Sequence, residues 1–175
     1  MLRGIFFSLL SLLLTSCTGM PEGVTPVSGF ELSRYLGTWH EVARLDHRFE
    51  RGLTQVTASY SLREDGGVRV INRGWHAEKG EWEQAEGKAY FVTDPRTGHL
   101  NVSFFRPFYS SYVVFWLDPD YRYAAIAGFN TNYLWLLART DQVPASVRQG
   151  FIEQAKAAGF NTQALIWLND ISPKS

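Results

Sequence analysis

The segment His40-Glu41-Val42-Ala43-Arg44 begins like the zinc motif His-Glu-x-x-His, in which two histidines one helical turn apart bind the metal. Arg44 stands where the second histidine would be, and the segment alternates as a β-strand rather than as a helix. The histidines of the chain, at positions 40, 47, 76 and 99, show no metal-ligand spacing. We therefore predict no metal site and no cofactor.

Other catalytic patterns are missing from the sequence as well. It contains no Gly-x-Ser-x-Gly elbow and no phosphate-binding loop. Asp118 and Asp120 flank a proline, which favours a solvated turn over a catalytic pair. The 17 basic and 17 acidic residues balance, with no basic run that could meet nucleic-acid phosphates. We predict neither an enzyme nor a nucleic-acid-binding protein.

The N-terminus has the features of a secretory leader. Arg3 precedes an apolar stretch too short to span a bilayer, and small residues follow, ending in Leu14-Thr15-Ser16-Cys17. An ordinary signal peptide with an incidental cysteine is one interpretation. The sequence LTSC also resembles the bacterial lipobox, which implies cleavage after residue 16 and attachment of acyl chains such as palmitate at Cys17.

Residue 18 is Thr rather than the Asp that retains enteric-type lipoproteins in the inner membrane, so this resemblance implies the outer membrane, on its periplasmic face. Residues 17–29 are rich in Pro, Gly and Ser and are expected to form a flexible tether. We predict a single folded domain over residues 30–172, with residues 1–16 as the signal peptide.

Strict alternation of apolar and polar residues dominates this domain and predicts antiparallel strands separated by turns. Eight candidate strands follow one another in meander order from Trp39 to Arg139. The tail then changes to a helical period, with Val147, Phe151, Ala155 and Ala158 on one face, before a short ninth strand over residues 164–168. The predicted fold is all-β with one C-terminal helix: an eight-stranded up-and-down barrel, which holds one small ligand or is filled by side chains.

The sequence resembles the lipocalin family at three places. Gly37-Thr38-Trp39 is similar to the first lipocalin motif, Asp118 and Tyr121 to the second, and Arg139 to the third. The resemblance implies that Gly37, Trp39 and Arg139 form the floor of the barrel, with the guanidinium over the indole. The segments DHRFERG and AEGKAYF (residues 46–52 and 85–91) are most similar to bacterial outer-membrane lipoprotein lipocalins related to apolipoprotein D.

Alternation predicts which side chains face the interior. On the first strand these are Trp39, Glu41 and Ala43, and a later strand contributes Tyr123. The candidate ligand-binding residues are Ala58, Tyr60, Asn72, Phe91, Phe104, Tyr112 and Trp135. The alternative is that these residues only fill the barrel.

The mostly apolar interior favours a fatty acid or lysophospholipid as the ligand, bound, stored or transported in the cell envelope. An envelope structural or interaction protein with a filled barrel is the main alternative, and a lipid-modifying enzyme is a weaker one. The aromatic segment of residues 104–111, FFRPFYSS, predicts an apolar patch for a membrane or a homodimer, or else a loop that covers the barrel.

Overall fold

A computed structural model of the protein describes residues 19–168. The predicted leader, Cys17 and the last residues of the predicted domain, 169–172, lie outside the described residues.

The described chain forms a closed antiparallel barrel. The strands are β1 Gly37–Leu45, β2 Leu53–Leu62, β3 Val68–His76, β4 Glu81–Phe91, β5 His99–Phe105, β6 Phe108–Leu117, β7 Tyr123–Ala127, β8 Leu134–Ala138 and β9 Leu165–Trp167. The helices are α1 Leu32–Tyr35 and α2 Ala145–Ala157, and a 3₁₀ turn covers Thr162–Ala164. Each strand from β1 to β8 pairs with its sequence neighbours, and β1 also pairs with β8, which closes the barrel. The predicted fold is confirmed.

The meander gives the barrel two different ends. The closed end carries α1 and the turns after β2, β4 and β6, at residues 63–67, 92–98 and 118–122. The open end carries the other turns, at residues 46–52, 77–80, 106–107 and 128–133. The strand β9 pairs with the open-end half of β1, where Leu45 faces Leu165.

Two separate groups of buried apolar side chains stabilise the fold. One lines the barrel interior around Trp39, and the other lies between the outer wall and α2, where Phe151 and Ala155 are fully buried. The helix begins after Pro144, which is its N-cap. Gly159 adopts φ +86° just beyond the helix end, a conformation that favours glycine.

Two residues that alternation placed inside the barrel lie outside it. A β-bulge between Glu41 and Ala43 interrupts the pairing of β1 with β8, so Ala43 packs in the outer group beneath the helix. On β7 the interior face consists of Ala124 and Ile126, and Tyr123 therefore also belongs to the outer group. Alternation failed at Ala43 because a bulge adds a residue and exchanges the two faces.

The described part of the expected tether, residues 19–29, is packed against the barrel instead of hanging free. Pro21 and Val24 are buried, and Val24 belongs to the outer apolar group. The backbone N–H of Val27 donates to Val114 O at 2.9 Å, and the carbonyl of Val27 accepts from the Gly98 N–H, also at 2.9 Å. This segment, the N-terminal strap, corrects the prediction of a flexible linker.

Candidate ligand site in the barrel

The closed end is sealed by a stacked arginine and tryptophan. Gly37 opens β1 with φ +94°, and Trp39 follows, fully buried, with its indole N–H donating to Tyr35 O at 2.8 Å. The Cζ of Arg139 lies 3.9 Å from the centre of the Trp39 ring. The guanidinium also donates to the carbonyls of Thr38, Arg34 and Tyr121 at 3.0, 2.7 and 3.2 Å. These bonds cross-link α1, β1 and the turn before β7 into one floor.

A cluster of tyrosines lies above the floor. The hydroxyl of Tyr112 is 2.6 Å from that of Tyr35 and 2.8 Å from that of Tyr60. Burial raises the pKa of each of these hydroxyls above its ordinary value, so all of them stay neutral and hydrogen-bonded. The three tyrosines therefore occupy the lower part of the barrel.

One wall of the barrel is lined by small side chains. Strand register places Trp39 opposite Ala58, Ala58 opposite Asn72, and Asn72 opposite Ala85, so this row of residues shares the interior face of four strands. Ala85 is nevertheless exposed to solvent. Ala85 lies beyond Lys88, the last residue of β4 that pairs with β5, so the interior face of β4 is open to solvent from the open end.

The other candidate ligand residues have different surroundings. Tyr60 is buried, and Phe91, Tyr112 and Trp135 are partly buried against the interior group. The Oδ1 of Asn72 is buried and has no hydrogen-bond partner within residues 19–168. Phe104 is instead 42% exposed near the open end, where a Cβ added at Gly87 would come within 2.8 Å of its ring.

A buried ion pair borders the open half of the interior. Arg44, which the bulge turns inward, donates to Glu41 Oε1 at 2.7 Å, and both side chains are 3% exposed. Arg44 also donates to the carbonyls of Glu50 and Leu53, at 2.8 and 3.1 Å, and so holds the start of β2. Burial, and next the charge of Glu50, raise the pKa of Glu41 well above its ordinary range.

The loop between β1 and β2 folds over this pair. Glu50 Oε2 accepts a hydrogen bond from Trp135 Nε1 at 3.0 Å and lies 3.0 Å from His47 Nε2, although the His47 contact lacks hydrogen-bond geometry. Burial opposes the charge on Glu50, but His47 and the Trp135 N–H hold the pKa of Glu50 below its ordinary value. The His47 ring also packs 5.1 Å from the Trp135 ring and 5.6 Å from that of Tyr133.

Sequence reasoning placed Glu41 inside but missed Arg44, His47 and Glu50. Their only signal was an unusual density of charged residues in the segment DHRFERG, where charge normally indicates a solvated loop. Tyr35, which precedes the first motif, was missed as well.

Residues 19–168 contain no group of three or more His, Cys, Asp or Glu side chains that could hold a metal ion. No helix in the same range is long and apolar enough to cross a membrane.

Comparison with known proteins places this geometry in a family. The model of the Lipocalin-like domain matches residues 30–170. The outer membrane lipoprotein Blc of Vibrio cholerae serotype O1 is 60% identical over 168 residues, which are 95% of this chain and 98% of that protein. The outer membrane lipoprotein Blc of Escherichia coli K12 is 51% identical over 148 residues, or 85% of this chain and 84% of that one.

Solved structures agree on the fold. Insecticyanin from the tobacco hornworm Manduca sexta superposes with a TM-score of 0.66 at 19% identity, covering 88% of this chain and 87% of that one. At this identity the likeness supports the fold alone. The sequence matches confirm the predicted resemblance to bacterial outer-membrane lipoprotein lipocalins. The chain belongs to the lipocalin-like family.

Proposed function

We propose that this protein is a membrane-anchored lipocalin that binds, stores or transports fatty acids or lysophospholipids in the bacterial cell envelope. The observation that carries the proposal is the exposure of Ala85 on the interior face, above the floor of Trp39 and Arg139. A barrel sealed at one end and open to solvent at the other is suited to a ligand that enters lengthwise. Its family is one of binding and transport proteins rather than of typical enzymes.

The shape of the interior favours a ligand with one acyl chain. An eight-stranded barrel has room for one small ligand, and here the tyrosines already occupy the lower part. The wall of Ala58 and Ala85 leaves space beside the larger apolar surfaces of Val102 and Trp135. An acyl chain would lie against these apolar surfaces, and its polar head would remain towards the open end.

The interior also offers polar groups to a ligand. The Asn72 amide can donate and accept hydrogen bonds, and its Oδ1 has no protein partner in residues 19–168. This amide suits the ester, hydroxyl or carboxyl oxygens near one end of a single-chain lipid.

The proposed location is the outer membrane, with the protein anchored through a lipidated Cys17. The curated relatives from V. cholerae and E. coli are named outer membrane lipoproteins, and the first of them matches 95% of this chain. The LTSC sequence supplies the site for the anchor. A homodimer remains an alternative arrangement at the membrane.

The test is a titration of unacylated protein, residues 18–175, with saturated fatty acids and lysophospholipids of increasing length. Affinity should rise by at most about 0.8 kcal/mol per CH₂ newly buried, until the cavity is full. Emission of Trp135 reports the binding, and Trp135→Ala should weaken it, whereas Arg69→Ala, on the exposed outer face, should not.

A blocking variant makes the test specific to the barrel. Ala85→Trp places an indole in the open interior and should abolish binding without unfolding, because position 85 is exposed. Gln84→Trp is the matched control, since its exposed neighbouring side chain faces the other side of β4. Affinity that is independent of chain length, or no saturable binding below about 100 μM, would favour an interaction protein with a filled barrel.

A further inference from the structure

Exposed aromatic side chains gather at one end of the barrel. All the large aromatic residues that are strongly exposed within residues 19–168 lie at the open end, whereas Leu62 and Val92, the large exposed apolar residues of the closed-end strands and turns, are aliphatic. The aromatic rim consists of Phe49 (65% exposed), Trp82 (44%), Phe104 (42%), Phe105 (77%) and Phe108 (66%). Exposed apolar side chains gathered at one end of a protein in this way mark an interaction site.

The rim surrounds the mouth of the barrel. Phe105 and Phe108 face each other at the tip of the β5–β6 hairpin, with only Arg106 and Pro107 between them. Phe49 lies in the loop between β1 and β2, on the opposite side of the eight-stranded barrel. Because Phe105 and Phe108 are both strongly exposed, the hairpin does not fold over the barrel, which was one alternative for residues 104–111. A flat apolar surface could touch both tips at once.

Basic side chains accompany the exposed phenylalanines. Arg106 is exposed between Phe105 and Phe108, and Arg48 is exposed with its guanidinium carbon 4.8 Å from the centre of the Phe49 ring. Two nearby charged pairs, Arg51 with Asp46 and Lys79 with Glu83, are already satisfied within the protein. Aromatic rings combined with arginine match the interface of a phospholipid bilayer.

The path of the N-terminal strap limits how far the barrel can move from a membrane. Val24 and Val27 hold the strap against the barrel wall, and Gly23 lies against the backbone of Ala158. Only Thr18 separates Gly19 from Cys17, so the Cα atoms of these two residues can lie no more than about 8 Å apart. An anchor this short keeps the barrel in contact with the lipid surface.

We propose that the aromatic rim docks on the surface of the phospholipid bilayer, so that the barrel opens directly into the membrane interface. This deepens the proposed function and rests on its anchor at Cys17, but it does not depend on the identity of the bound lipid. A single-chain lipid could then pass between bilayer and barrel without exposing its chain to water. The partner is a lipid surface, and a second copy of the chain is the outcome that the experiment must exclude.

The experiment uses the full acylated protein reconstituted in vesicles of phosphatidylethanolamine and phosphatidylglycerol. A polarity-sensitive NBD fluorophore is attached through Phe105→Cys in one sample and through Leu62→Cys in the other. Leu62 is the matched control because it is 64% exposed at the closed end. The label at position 105 should shift to shorter wavelength and be quenched by spin-labelled phospholipid, while the label at 62 should show neither effect.

Three results would overturn the proposal. The first is equal quenching at the two positions, and the second is stronger quenching at 62. The third is a blue shift at position 105 that grows with protein concentration and is not accompanied by quenching from spin-labelled phospholipid. This result would show that a second copy covers the rim.

A second variant tests whether the rim itself is responsible. With the label at Phe49→Cys, the double substitution Phe105→Ser and Phe108→Ser should remove most of the lipid quenching. Unchanged quenching would refute docking through the rim. Labelling of the protein without any added cysteine would instead show a free Cys17 thiol, and this would refute the anchor of the proposed function separately.

Discussion

The indole N–H of Trp135 on β8 donates to Glu50 Oε2 across 3.0 Å and so fastens the β1–β2 loop over the open half of the barrel. The backbone of Glu50 is held as well, because Arg44 donates to its carbonyl at 2.8 Å. The loop therefore closes over the same tryptophan that we expect to contact the ligand.

Removal of the Glu50 carboxylate should release this loop. Glu50→Ala leaves the Trp135 N–H without its acceptor and removes the carboxylate beside His47, at a cost of about 1–3 kcal/mol of unfolding free energy. Hydrogen exchange should accelerate in residues 46–52 more than in the strands. Glu153→Ala, at an exposed position on α2, is the control. Unchanged exchange in the loop would show that Glu50 does not hold it.

Glu41 should make stability fall as pH rises. Its folded-state pKa lies above the ordinary value of 4.5, because burial and the Glu50 charge disfavour ionisation. The folded state therefore binds more protons than the unfolded state above pH 4.5, and stability present below that pH is lost as pH rises through the folded pKa. Glu41→Gln should flatten this slope in urea unfolding curves measured from acid to alkaline pH.

Glu86→Gln is the informative control for this pH dependence. Its bond with Arg69 lowers the pKa of Glu86, so its contribution has the opposite sign and is lost as pH falls. A Glu41→Gln protein with the same alkaline loss as the parent would place the responsible group elsewhere.

Arg139 should contribute stability rather than ligand affinity. Arg139→Ala removes the cation from the Trp39 ring and leaves the carbonyls of Thr38, Arg34 and Tyr121 without their donor, at a cost of about 1–3 kcal/mol. Thermal unfolding measures the loss, and lipid titration of the folded variant should give unchanged affinity. Arg122→Ala, which affects an exposed pair with Asp118, is the comparison. A stable variant that no longer binds lipid would assign Arg139 to the ligand site.

Cys17 should determine where the protein resides. Cys17→Ser removes the sulfur that a lipobox cysteine presents for acylation, so labelled palmitate should no longer be incorporated and the protein should accumulate as a precursor or a mislocalised form. Membrane fractionation and labelling measure the two effects. Persistent labelling together with outer-membrane fractionation would exclude Cys17 as the anchor.

The sequence alone determined the strands, the C-terminal helix and the family motifs. Apolar residues recur at every second position, as at Val68 and Val70, whenever one face of a strand is buried. Glycine and proline mark the turns. Local patterns of this kind need no knowledge of distant contacts. They also gave the correct interior face for Ala58 and Tyr60, which are buried inside the barrel.

Only the tertiary structure decided which charged residues enter the barrel and how the N-terminus is held. The bulge after Glu41 turns Arg44 inward, and a bulge depends on pairing with β8, almost a hundred residues away in the chain. The strap is held by Val27 through bonds to β6 and to the turn before β5, a contact that its Pro- and Gly-rich composition does not reveal. Composition describes what a segment can do alone, whereas packing depends on the surface that the rest of the chain presents to it.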